Sequence, residues 1–341
     1  MRAAVFDKAG EKLAIREVAT PAPGPGELLI KVMHCGICGS DLHMTDAASC
    51  YNPPAGSIIG HEFAGEIVDL GEGTTAAWKE GQRVTALPYI GCGHCVHCLA
   101  GDPVYCTRAR SKPNGASSGG FAEYTVIGAA ETIALPDSLS WEEGAFIEPI
   151  AVGVHAVGRA KLAPGARILI VGAGPVGLAV AACARALGAG TVCVTARTPL
   201  RADLARTMGA TEFLLNDALL AQNFARTAGG PPDAIFECVG LPGMFDLCAR
   251  LAAPRSKIVM LGACMQEERL MPIVPTMKEL TVEFVVCYSK RDFEVATAMI
   301  ASGRVDPMLM LTDIVDMDAF PDKFEALRQG SGQGKILLAP G

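Results

Sequence analysis

Over roughly the first 150 residues, apolar positions come in short runs such as LLIKVM (28–33) and FAGEIV (63–68), parted by Gly and Pro. That punctuation predicts a mostly β domain. From about 151 to 286 the pattern changes. RILIV, TVCVT, TEFLL, AIFEC, KIVMLG and TVEFVV read as strands, with helical stretches such as PVGLAVAACARAL and PLRADLARTM between most of them. Strands alternating with helices predict a doubly wound parallel sheet. From 287 onward the chain predicts a helix (DFEVATAMIASG), a short Asp-rich turn, another helix and a last strand, KILLA, with a Gly-rich turn near 330–334. The domains expected are therefore 1–150 with 287–341, and 151–286.

Composition narrows the classes. With 341 residues, 50% hydrophobic and 19% charged, the chain can bury large cores. A net charge of −7 argues against nucleic acid as partner. The uncharged run Ile168–Ala184 is 17 residues long and is split by GAGPVG, so it reads as buried core rather than a membrane span. MRAAVF reads as a strand, not a leader, and a cytoplasmic location is expected. The 13 cysteines are odd in number and partly clustered, which suits metal ligation in a reducing compartment. Cys50, Cys183, Cys193, Cys238, Cys248, Cys264 and Cys287 are expected to be small buried apolar residues.

GCGHCVHCLAGDPVYC carries Cys92, Cys95, Cys98 and Cys106 in the spacing C-x2-C-x2-C-x7-C. Four thiolates so close make a closed tetrahedral zinc site, which stabilises a loop and does not catalyse. His94 and His97, between them, are expected to be exposed bystanders. A second candidate lies in HCGICGSDLH (34–43) and GHEFAGE (60–66). Cys38 and His61 alone would mean little. Asp41, however, can accept the second ring N–H of His61 and fix its tautomer. Glu62 adds a carboxylate, and Glu148 stands in an apolar stretch where an unpaired carboxylate is costly. One thiolate, one imidazole and one carboxylate leave a fourth zinc position open, as a catalytic site requires.

GAGPVG supplies Gly172, Gly174, Pro175, Val176 and Gly177 between a predicted strand and a predicted helix, the setting of a dinucleotide turn. An acid about 20 residues on would grip the ribose of NAD. The residue 19 positions after Gly177 is Ala196, with Arg197 and Arg201 close by. A missing carboxylate and two guanidinium groups suit a 2′-phosphate, so NADP(H) is the expected coenzyme.

Taken together, GICGSDLH, GHEFAGEIVDLGEG, the four-cysteine lobe, GGFAEY, EPIAVGVHA and GAGPVG resemble the zinc-dependent medium-chain alcohol dehydrogenases, polyol (sorbitol-type) branch, over essentially the whole chain. The resemblance implies a GroES-like, mostly β catalytic domain completed by the C-terminal segment, plus a Rossmann domain. It assigns Cys38, His61 and Glu148 to the catalytic zinc, with Glu62 the alternative to Glu148, and so implies about two zinc ions per chain. It makes Ser40 and His43 a proton relay, passing through the nicotinamide ribose to solvent. Imidazole suits that outlet because it exchanges protons near neutral pH. The substrate expected is a small alcohol or polyol and its ketone, and the assembly a homotetramer or homodimer. The loop Ser49–Gly56, with Tyr51, is expected to border the substrate. Rival readings are a threonine-dehydrogenase-like enzyme, a simple alcohol or aldehyde reductase, a zinc-free quinone reductase of the same superfamily, and a zinc-ribbon interaction or DNA-binding protein. The two intact clusters weigh against the quinone reductase, and the acidic charge against the last.

Overall fold

A computed structural model describes residues 1–112, 115, 118–330 and 334–341. The turn expected near 330–334 lies, for 331–333, outside the described residues. The chain divides into two compact units.

The first unit comprises Met1–Glu148, Tyr288–Ala301 and Met310–Gly341. Its main sheet has seven strands, in which Glu27–Gly36 is flanked by Glu62–Leu70, Tyr124–Gly128 and Lys335–Leu338. Most of Glu27–Gly36 is buried, which explains its near-continuous apolar run. Phe121 packs its ring 4.8 Å from Phe320, and Phe63, Phe324 and Ile30 join them in a core without exposed members. A three-stranded sheet is built around Arg2–Phe6. The Asp-rich stretch expected to turn instead contains a strand, Leu311–Val315, parallel to Lys335–Leu338. Its partner strand supplies the hydrogen bonds that acidic residues alone do not predict.

The second unit comprises Pro149–Cys287 and Ser302–Leu309. Ser302–Leu309 thus departs from an undivided 287–341 segment. Val305 is 3% exposed, and Arg304 donates to the Ala186 carbonyl within this unit. Six parallel strands run in the order Glu212–Leu215, Thr191–Ala196, Arg167–Val171, Ala234–Glu237, Lys257–Met260, Thr281–Phe284. The order reverses between Arg167–Val171 and Ala234–Glu237, which is the switch point of a doubly wound sheet. The helix Pro175–Ala186 packs Leu178, Val180 and Cys183 inward.

Cys183, Cys193 and Cys248 are buried as expected, but Cys50 is exposed, and Cys238, Cys264 and Cys287 are partly exposed. No described helix is long and apolar enough to cross a membrane.

Candidate functional site

The four-thiol lobe lies in the first unit. Donor atoms of Cys92, Cys95, Cys98 and Cys106 all lie within 4.8 Å of one another. Cys95 caps the short helix Val96–Leu99, its sulfur accepting the Cys98 N–H at 3.5 Å. A Cβ on Gly91 would stand 2.5 Å from the Cys98 sulfur, so only glycine fits there. Backbone N–H groups, that of His94 foremost, push the Cys92 thiol down to about 5, while burial pushes Cys98 up to about 12. Val96 and Leu99 are 73% and 76% exposed, so the lobe has little apolar packing of its own. A tetrathiolate zinc would supply the cross-link it lacks. His94 and His97 are exposed and outside the group.

The second group is Cys38, His61 and Glu62, again with donor atoms within 4.8 Å of one another. Cys38 is the N-cap of the helix Gly39–Met44. Glu62 opens its strand in register with Gly36, where an added Cβ would lie 2.2 Å from Glu62 Oε2. Asp41, fully buried, serves two ligands: Oδ2 accepts the Cys38 N–H at 2.9 Å, and Oδ1 lies 3.2 Å from His61 Nδ1. His61 Nε2 is thereby turned away from Asp41, 3.5 Å from Ser40 Oγ. His43 is exposed in the last turn of the same helix.

Two residues that the sequence reading missed complete this region. Lys335, from the last strand, donates to Glu62 Oε1 and to the Ile37 carbonyl at 3.0 Å. Burial alone would lower its pKa, but Glu62, then Cys38 and Glu148, hold it above the ordinary value. Tyr288 donates to Glu148 Oε1 at 2.5 Å. The cue for Lys335 was a charged residue opening an apolar strand; for Tyr288 the sequence carried none. Glu62 Oε2 is buried without a partner. Glu148 falls outside the 4.8 Å group. Burial pushes its carboxyl up to about 7, with Glu62 adding, and His61, Tyr288 and Lys335 opposing. Asp41, Glu62 and Glu148 are thus three buried carboxyl groups beside one buried ammonium. A dication held by Cys38, His61 and Glu62 fits this set of thiol, imidazole and carboxylate donors and the orphaned oxygen.

In the second unit, Gly172 has φ +113°, and a Cβ on Gly177 would lie 2.0 Å from the Gly172 carbonyl oxygen. Gly174 caps the helix Pro175–Ala186 without a side-chain hydrogen bond, leaving first-turn N–H groups of Val176 and its neighbours for an anion. A dinucleotide fits this turn. Ala196 ends its strand half-buried. Arg197 is exposed, whereas Arg201 folds back to donate to the Ala173 carbonyl at 3.2 Å, inside the glycine turn. Tyr51, in the first unit, is 50% exposed.

Residues 24–137 match the model for the alcohol dehydrogenase GroES-like domain, and 175–302 that for zinc-binding dehydrogenases. The chain is 35% identical to the sorbitol dehydrogenase of Bacillus subtilis (strain 168), covering 100% of this chain and 97% of that protein. It is 33% identical to the L-threonine 3-dehydrogenase of Shewanella baltica (strain OS185), covering 97% of both. A zinc-binding dehydrogenase from Sinorhizobium meliloti 1021, solved with NADP, superposes with a TM-score of 0.89 at 30% identity over 99% of each chain. An alcohol dehydrogenase from E. coli CFT073, solved with NADH, gives a TM-score of 0.89 at 28% identity over 100% and 99%.

Proposed function

The chain belongs to the zinc-binding, medium-chain alcohol dehydrogenase family, and from that premise we propose that it is an NADP(H)-preferring polyol or alcohol dehydrogenase with a catalytic and a structural zinc. When bound, zinc supplies a Lewis acid for the alcohol oxygen and the nicotinamide exchanges the hydride. Cys38, His61 and Glu62 hold the catalytic metal, and the buried, unpartnered Glu62 Oε2 is the observation that carries this choice over Glu148. Asp41 fixes the His61 tautomer and the Cys38 backbone. Glu148, raised to about 7 by burial, stays near the metal as a neighbouring carboxyl steered by Tyr288. Ser40 holds the proton that leaves the substrate hydroxyl, and exposed His43 returns it to solvent. Cys92, Cys95, Cys98 and Cys106 hold the structural ion.

Coenzyme choice rests on Ala196 and on Arg201, whose contact with Ala173 places a guanidinium beside the glycine turn. A second reading, amino-alcohol oxidation, is favoured by the resemblance to threonine dehydrogenase. The assembly proposed is a homodimer or homotetramer. The edge strand Thr281–Phe284 carries Phe284 at 73% exposure, and Val286 just beyond it is 51% exposed, apolar surface suited to a second copy. A cytoplasmic location accords with the absence of disulfides among the described residues.

The test is kcat/KM with NADP and NAD over polyols, secondary alcohols and amino alcohols. The phosphorylated coenzyme should be favoured by about ten-fold or more. Ala196→Asp combined with Arg197→Ala and Arg201→Ala should abolish or reverse that preference. A wild-type preference for NAD would reject the coenzyme assignment.

A further inference from the structure

Beneath the switch point of the second unit lies a carboxylate with no part in the chemistry above. Glu237 ends the strand Ala234–Glu237, is fully buried, and stands in register with Val171 on one side and Met260 on the other. Val171 is the residue before Gly172. Glu237 Oε1 accepts the N–H groups of Val239 at 2.7 Å and Gly240 at 3.0 Å. The Glu237 main-chain carbonyl accepts those of Leu261 at 2.8 Å and Gly262 at 3.0 Å. One residue therefore anchors the loops that leave two neighbouring strands. Its Oε2 is buried without a partner.

These loops have no slack. A Cβ on Gly262 would lie 2.1 Å from Gly240 N and 2.4 Å from Glu237 Oε2. One on Gly240, itself at φ +71°, would lie 2.6 Å from Ala263 N. A Cβ on Gly172 would meet Val239 Cγ2 at 2.9 Å. Val239 thus occupies the space that any side chain at position 172 would need, which ties the 238–240 loop to the first glycine of the dinucleotide turn. Burial raises the pKa of the Glu237 carboxyl against the pull of those N–H groups, so the contact is retained at an electrostatic cost.

In a doubly wound sheet the dinucleotide straddles the switch point, with its adenosine ribose over the end of the second strand. Here that strand is Thr191–Ala196, so the loops 238–240 and 261–263 lie on the opposite side, toward the other half of the ligand. Resting on the coenzyme reading above, we propose that Glu237 is a positioning residue for the nicotinamide half of the coenzyme. Its side chain fixes the 238–240 loop, and its main-chain carbonyl the 261–263 loop, at the height that this half requires, so that the side-chain variants below release the first loop alone.

The experiment compares a whole ligand with half of it. NADPH binding is followed by fluorescence, and adenosine 2′,5′-bisphosphate by calorimetry, on the full chain. Glu237→Ala should weaken NADPH by about ten-fold or more, the scale of a misplaced binding element, and leave the half-ligand within about two-fold. In steady state, coenzyme KM should rise more than kcat falls. Glu237→Gln keeps an acceptor for Val239 and Gly240 and should lie between. It decides the question alone if the alanine variant fails to fold, since a loss confined to NADPH supports the proposal. Equal weakening of both ligands, or no weakening, overturns it. If wild type prefers NADH and 5′-AMP, the phosphate assignment fails, and the same comparison with that pair still decides Glu237.

Discussion

In Lys335→Met the ammonium is lost while the length and apolar stem of the side chain remain. The pair it breaks is deeply buried, with side chains 3% and 1% exposed for Lys335 and Glu62. Glu62 would be left charged, with one oxygen against Gly36 and no cation on the other. Stranding one partner of a buried pair costs about 3–5 kcal/mol, because water cannot replace it. At about 2–4 °C per kcal/mol for a unit of this size, the melting temperature should fall by roughly 6–20 °C. Adding Glu62→Gln removes the stranded charge and should recover most of that loss, giving a coupling of about 2 kcal/mol or more. The measurement is scanning calorimetry of wild type, both single variants and the double variant. All four are stripped of metal under one chelator concentration, so that no bound cation offsets the missing ammonium. Additive effects, with a coupling below about 0.5 kcal/mol, would refute the reading of Lys335 and Glu62 as a buried, mutually dependent charge pair.

Cys38→Ser should lose nearly all turnover and bring zinc from about two to about one per chain by metal analysis, with the fold kept by circular dichroism; full activity would reject the metal assignment. Cys95→Ser should lower melting temperature and zinc content together, because the lobe's Val96 and Leu99 face solvent and give it little apolar packing. Unchanged melting with dead chemistry would contradict a structural ion. Lys112 is fully buried, donating to the Ser118 and Val126 carbonyls and to Thr125, and burial foremost pushes it down to about 7 from 10.5. Between those two pH values the unfolded chain binds the extra proton, so stability should rise with pH across that window, by up to about 5 kcal/mol, and be flat below it. Lys112→Met should abolish that rise in urea midpoints between pH 7 and 9.5; no difference in slope would mean that the three acceptors keep the ammonium charged.

The central strands of the second unit's parallel sheet were the easiest elements to read, because burial on both faces writes an unbroken apolar run such as RILIV. The two cysteine-bearing clusters were legible for another reason: their ligands sit close in sequence or beside an orienting acid such as Asp41. Leu311–Val315 was not, since Asp313 stands half-buried while Ile314 faces solvent, the reverse of the expected alternation. Tyr288 was illegible as a site residue and Lys335 showed only as a charge opening an apolar strand, because nothing local links them to carboxylates 140 and 273 positions away. Ser302–Leu309 shows the same limit: which unit a segment joins depends on contacts such as Arg304 with Ala186, not on its order along the chain.

The first unit is assembled from three separate stretches of chain, the last beginning at Met310. On the ribosome this imposes a schedule. Lys335 emerges 273 residues after Glu62, an interval of about 14–55 s at about 5–20 residues per second. All six strands of the second unit, between Arg167 and Phe284, leave the tunnel within that interval. The parallel sheet can therefore close while Glu62 still waits for its cation and the sheet around Glu27–Gly36 lacks a strand. Nascent chains stalled just before residue 335 should therefore carry a protease-resistant second-unit sheet and a first unit that is still protease-sensitive, which makes translation order a determinant of when the first unit is complete.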